Sequence, residues 1–186
     1  MKKLMTFLVA LLAGWQAFSQ NPLPDWALGG FQRPQGVNPL VSPQALSTFQ
    51  CPMRGTTVKW ECADTFNPAA VSKDGGVCVL YRAEDDPSAG IGGRTSRFGY
   101  VESADGLHID FRSPTPVFYP DLSPISKTYE WDGGCEDPRV VEATIDGERL
   151  FVMMYTSWNH DKARLSVATS PDLRSWTHHG PIFLEA

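Results

Sequence analysis

Residues 133–142 read GGCEDPRVVE. Adjacent carboxylates, Glu136 and Asp137, precede Pro138 and Arg139, and the stretch then enters a β-branched pair. Proline supplies no backbone donor and pushes the residue before it toward an extended conformation. A carboxylate fixed in that way at the mouth of a concave pocket is a candidate general acid or base. The same residues also fit a plain turn, with Asp137 as its cap and Arg139 paired to a neighbour. A second X-Pro step, Asn67-Pro68, stands in FNPAAV.

The elements that position these residues are short strands. VCVLYR (77–82), RFGYVES (97–103), RLFVMMYT (149–156) and RLSVATS (164–170) are rich in Val, Leu, Tyr and Phe, with the turn formers KDGG, SADG, TIDG and SPDL between them. Past the N-terminal leader no stretch sustains a helical period, so the chain is predicted to be all-β, with short antiparallel strands. The strands also repeat. FNPAAVSKDGGVCVLYR (66–82) lies over EDPRVVEATIDGERLFVMMYT (136–156), and residues 97–118 lie over 164–183, at an offset of about 70 residues. Asn67 then falls on Asp137.

Four-strand units repeated radially make a β-propeller whose inner strands line a central channel. Two units cannot close a ring. The expectation is therefore an incomplete propeller, shortened or completed by a partner, and the ending just after a unit's last strand favours shortening. Asn67 and Asp137 would point polar atoms at one central site. Tyr81, Trp131, Tyr155 and Trp158, with Arg82, Asp85 and Asn159, are expected near the same mouth. Aromatic faces beside charged groups suit a sugar. Packing between blades is the competing role for each aromatic, and the favoured one for Phe151 and Trp176; Trp131, in a polar loop, is expected to be exposed.

Residues 1–19 have Lys2 and Lys3, an apolar run, then Ala17-Phe18-Ser19, which predicts a secretory signal peptide and export to the periplasm or medium. The expected cleavage point carries no Cys, so nothing there suggests a lipid anchor. Residues 20–50 read as an irregular lead-in, and 51–186 as the partial propeller domain. A formal net charge of −5 and a pI near 5.3 argue against nucleic acid or an anionic membrane as partner. Cys51, Cys62, Cys78 and Cys135 fit disulfides or buried free thiols, and their spacing does not suit a metal site.

FNPAAV, LYRAED, SADGLHIDF, GGCEDPRVV, YTSWN and ATSPDLRSWTHHGPIF, in that order, resemble glycoside hydrolase family 130, the mannoside phosphorylases and β-mannosidases built on five-bladed β-propellers. The resemblance runs from about Asn67 to Phe183 and implies about two N-terminal blades. It implies Asp137 as catalytic acid, protonating the departing oxygen through a hydroxyl of the bound mannose. It implies Asn67 and Arg82 as contacts to the mannose at subsite −1, and Glu136 on the +1 side. Arg139 is expected to orient Asp137 by a charge-assisted pair, and Asp85 to bind substrate.

The attacking group stays open. Phosphorolysis needs basic residues for inorganic phosphate as co-substrate, whereas inverting hydrolysis needs a second carboxylate to activate water. His160, Lys162 and Arg164 follow the DPR strand, as phosphate contacts or as a solvated loop. No other cofactor and no metal are expected. The rival readings are a family 43-like propeller glycosidase acting on pentosides and a non-catalytic sugar-binding propeller.

Overall fold

The computed structural model describes residues 24–29, 31, 33–90 and 92–184. The expected signal peptide, residues 1–19, lies outside the described residues. The chain divides into two compact parts, Met1–Pro34 and Gln35–Ala186. In the first, Ala27 N–H donates to the Pro24 carbonyl at 2.8 Å. Everything below concerns the second. Among the described residues no helix is long and apolar enough to cross a membrane.

The fold is all-β. A hairpin of β1 (Phe49–Cys51) and β2 (Thr56–Val58) is followed by β3 (Asp64–Lys73), β4 (Gly76–Glu84), β5 (Ser96–Ser103) and β6 (Phe111–Arg112). Then come α1 (Pro124–Tyr129), β7 (Gly134–Ile145), β8 (Glu148–Trp158), β9 (Ala163–Ser170) and β10 (Thr177–Pro181). The single-turn helix departs from the expected absence of helix. Ser123 caps it through its hydroxyl and Pro124 opens it, but six residues are too few to show a period.

Strands β3-β4-β5-β6 pair antiparallel in order as one four-stranded unit, β7-β8-β9-β10 as a second, and one parallel bridge, Ser96 to Gly134, joins these two units. They do not close a ring. The repeat holds down to single turns. Asp74-Gly75 and Asp146-Gly147 are two-residue hairpin loops with φ of 52° and 85°, and 52° and 83°, the left-handed pairs of a type I′ turn. At the next turn Asp105 accepts from the backbone N–H of Leu107 and His108, and Asp172 from that of Arg174 and Ser175.

The core lies between the units. Leu80, Phe98, Tyr100 and Phe118 of the first pack on Phe151, Met153, Tyr155, Ala168 and Leu173 of the second, with Trp176 against their edge. The opposite face of β4 and β5, bearing Tyr81, Ala83 and Val101, is covered by Phe49, Cys51 and Trp60. Residues 41–60 therefore pack on the first unit, and β1 begins within the stretch expected to be irregular. All four cysteines are free, three of them buried.

Candidate active site

Both X-Pro steps interrupt a strand rather than begin one. In β3 the residues Asn67 and Pro68 lie opposite Tyr81 alone, and in β7 Asp137 and Pro138 lie opposite Tyr155 alone. These are β-bulges, two residues against one. Asn67 (φ 43°) and Asp137 (φ 53°) are accordingly left-handed, not extended as proline alone suggested. Asn and Asp tolerate that region better than other L residues. Each bulge turns its polar side chain out of the strand's alternation, and the two meet: Asn67 Nδ2 donates to Asp137 Oδ1 at 2.8 Å.

Arg82 is the hub. Its Nη1 donates to the same Asp137 Oδ1 at 3.1 Å, its Nη2 to Glu136 at 2.8 Å and to Glu84 at 2.6 Å, and its Nε to Ser96 Oγ at 3.0 Å. Its guanidinium also lies over the Phe66 ring at 4.6 Å. Four of its five N–H groups are committed; the second hydrogen on Nη1 has no partner among the described residues. Solvent access falls in steps across the three carboxylates, with side chains 40%, 19% and 4% exposed for Asp137, Glu136 and Glu84. Asp137 takes both of its bonds on Oδ1, so Oδ2 is unpartnered among the described residues and the acid is presented by one oxygen. Burial pushes the Glu136 carboxyl up, Arg82 draws it back, and the charges of Asp137 and Glu84 push it up again. A cleft of about 370 Å³ opens beside this hub, lined by Asp64, Thr65, Phe66, Arg82, Glu84 and Arg94.

Of the anticipated residues, Asn67, Arg82, Glu136 and Asp137 come together. Asp85 and Arg139 do not. Asp85 is buried, accepting from Arg97 Nη1 at 2.8 Å and from Thr95 N–H at 3.0 Å. Arg139 resumes strand pairing with Met154 beyond the bulge, and its Nη1 donates to the Pro138 carbonyl at 2.7 Å. Arg82 makes the pair to Asp137 expected of Arg139. Glu84 and Ser96 were not anticipated; the signal for Glu84 was its place two residues after Arg82, on the same face of a strand.

The aromatics divide. Tyr81 and Tyr155, each opposite a bulge, are buried with hydroxyls donating to Glu61 at 2.9 Å and Glu130 at 2.6 Å. The fourth strand of each unit completes the group, Arg112 bonding Glu61 and His178 Nδ1 lying 3.0 Å from Glu130. Both phenols are pushed above their ordinary range, first by burial. Trp131 is half-buried, not exposed, and donates to the Asp121 carbonyl. Trp158 packs on Gly133 with His160 at its edge. Asn159 shapes a turn by accepting from Asp161 and Lys162 N–H, and Arg164 donates to the Lys162 carbonyl.

The family model described as beta-1,4-mannooligosaccharide phosphorylase, that of glycoside hydrolase family 130, matches residues 34–185. The chain belongs to glycoside hydrolase family 130. It is 37% identical over 131 residues to a 1,2-beta-oligomannan phosphorylase of Thermoanaerobacter sp. (strain X514), covering 68% of this chain and 40% of that relative. It is similar to a solved glycosyl hydrolase from Bacteroides ovatus, with 55% identity, a TM-score of 0.80, and 88% of this chain and 44% of that one covered. A second solved relative, also at TM-score 0.80 with 56% identity over 88% of this chain and 44% of its own, is described with family 130 glycoside hydrolases that target beta-1,2 mannosidic linkages in Candida mannan. The family 130 chain spans less than half the length of each of these relatives.

Proposed function

We propose that this family 130 chain supplies part of the active site of an exported enzyme that cleaves β-mannosidic bonds with inversion, using phosphate or water as the attacking group. The two four-stranded units are then two consecutive blades of a five-bladed propeller. Asp137 is the acid, Asn67 and Arg82 hold the mannose at subsite −1, and Glu136 faces the +1 side. The observation that carries the reading is the state of Asp137. Two donors on Oδ1 fix it, while Oδ2 and the spare Nη1–H of Arg82 are left for a ligand. A sugar hydroxyl both donates and accepts, so it can bridge those two groups and pass a proton from the acid to the departing oxygen.

The names of the relatives support β-1,2-linked mannosides as the first substrates to try. The test incubates the protein carrying this sequence with β-1,2- and β-1,4-mannobiose, with and without inorganic phosphate, and follows the anomer released. α-Mannose 1-phosphate formed only with phosphate indicates phosphorolysis, and α-mannose in both conditions indicates hydrolysis. Cleavage of aryl pentosides alone, or mannoside binding with no product, overturns the proposal.

A further inference from the structure

Glu84 is the most buried of the three carboxylates around Arg82. Its Oε1 accepts from Arg82 Nη2 at 2.6 Å and from Ser96 Oγ at 3.2 Å, and its Oε2 accepts from Arg94 Nη1 at 3.2 Å. Arg94 in turn bonds Asp64 and donates from Nε to the Ala89 carbonyl at 3.0 Å. A buried carboxylate is tolerated only when paired and hydrogen-bonded, and here two guanidinium groups and a hydroxyl meet that need.

We infer that Glu84 is a positioning residue for this site, holding the Arg82 guanidinium in the plane that aims Nη1 at Asp137. The inference rests on the proposal that Asp137 and Arg82 handle the sugar. Without Glu84, the partners left on the Nη groups are Glu136 and Asp137, adjacent on β7, and both draw the guanidinium toward that strand. Glu84 pulls from β4 and Ser96 fixes Nε from β5, so three strands define one orientation. The charge of Glu84 also helps hold the Glu136 carboxyl up. The groups facing Glu136 are Arg82, Asp137, Glu84 and the Ser96 hydroxyl. Arg94 extends the brace to the β4–β5 loop through Ala89.

The test is Glu84→Gln in the protein carrying this sequence, read three ways. Turnover of β-mannobiose should fall about 10- to 100-fold, the loss typical of a misplaced catalytic group. Exchange of the Arg82 Nε–H, followed by NMR, should accelerate, and the Glu136 carboxyl, followed by ¹³C NMR, should titrate at lower pH than in the unsubstituted protein. A merely structural glutamate would leave the Arg82 Nε–H exchange unchanged in the folded variant, whereas loss of its charge alone moves Glu136. Unchanged Arg82 exchange overturns the inference. If the unsubstituted protein turns over no mannoside, the functional proposal fails while the Arg82 exchange still judges Glu84. If Glu84→Gln does not fold, Arg94→Gln replaces it. That substitution frees Glu84 Oε2 without removing any hydrogen bond of Arg82, so faster Arg82 exchange supports the brace and unchanged exchange overturns it.

Discussion

Asn67 and Asp137, seventy residues apart and each at the same bulge of its own four-stranded unit, are joined by a 2.8 Å hydrogen bond from amide to carboxylate. The repeat brings its equivalent positions into contact, so a change at one is felt at the other. Asn67→Asp keeps the left-handed residue acceptable but sets two carboxylates against each other. It should cost about 1 kcal/mol or more of stability at neutral pH. Part of that loss should be recovered in acid, where the pair can share a proton. Urea denaturation at the two pH values checks this; a pH-independent loss would contradict it.

Glu136 makes a pH signature. A carboxyl whose folded-state pKa is raised binds its proton more tightly in the native state, so its contribution to stability is complete below the ordinary glutamate range. That contribution is lost as pH rises through the range to the raised value. The unfolding free energy of the unsubstituted protein minus that of Glu136→Gln should therefore fall with rising pH. Denaturation of both proteins from about pH 4 to pH 7 gives the difference curve; a flat or rising curve contradicts a raised pKa for this carboxyl.

Gly134 joins the two units and lets β7 approach β5. A Cβ at this position would lie 2.2 Å from the Ser96 carbonyl oxygen, and its φ of 108° is strained for any side chain. Gly134→Ala should cost at least about 2 kcal/mol. It should also separate Ser96 from β7, loosening Arg82 together with the bulge. A melting temperature within a degree or two of the unsubstituted protein would rule out the close approach.

Behind the second bulge, Tyr155→Phe removes the phenol that donates to the fully buried Glu130. The expected loss is about 1–3 kcal/mol, the usual range when a buried hydrogen bond loses one partner. Tyr81→Phe should behave alike through Glu61. Chemical denaturation of the two variants tests whether the units are equivalent in energy as well as in shape.

The strands, their turns and the offset of about 70 were legible because period-two patterning and the two Asp-Gly turns are local signals. The pairing of Asn67 with Asp137 at one site was legible for the same reason, since a repeat predicts which positions share a place. What stayed hidden depends on contacts across strands. Tyr81 and Tyr155 were expected at the site, but each is the lone residue opposite a two-residue bulge and is spent on a buried glutamate. Glu61 and Glu130 carry no local pattern that separates them from surface acids. Arg139 adjoins Asp137 in sequence, yet Arg82, 55 residues away, holds that carboxylate, because bulge geometry and not adjacency decides which guanidinium reaches it.

The most direct test of the account is the turnover of β-mannobiose by Asp137→Asn against the unsubstituted protein, with the melting curve of each recorded alongside. The asparagine can still accept from Asn67 and Arg82 through its carbonyl oxygen, so the fold should survive. Loss of the proton donor should reduce turnover by about 100-fold or more. A folded Asp137→Asn protein that keeps more than about a tenth of the activity would contradict the assignment of Asp137 as the acid.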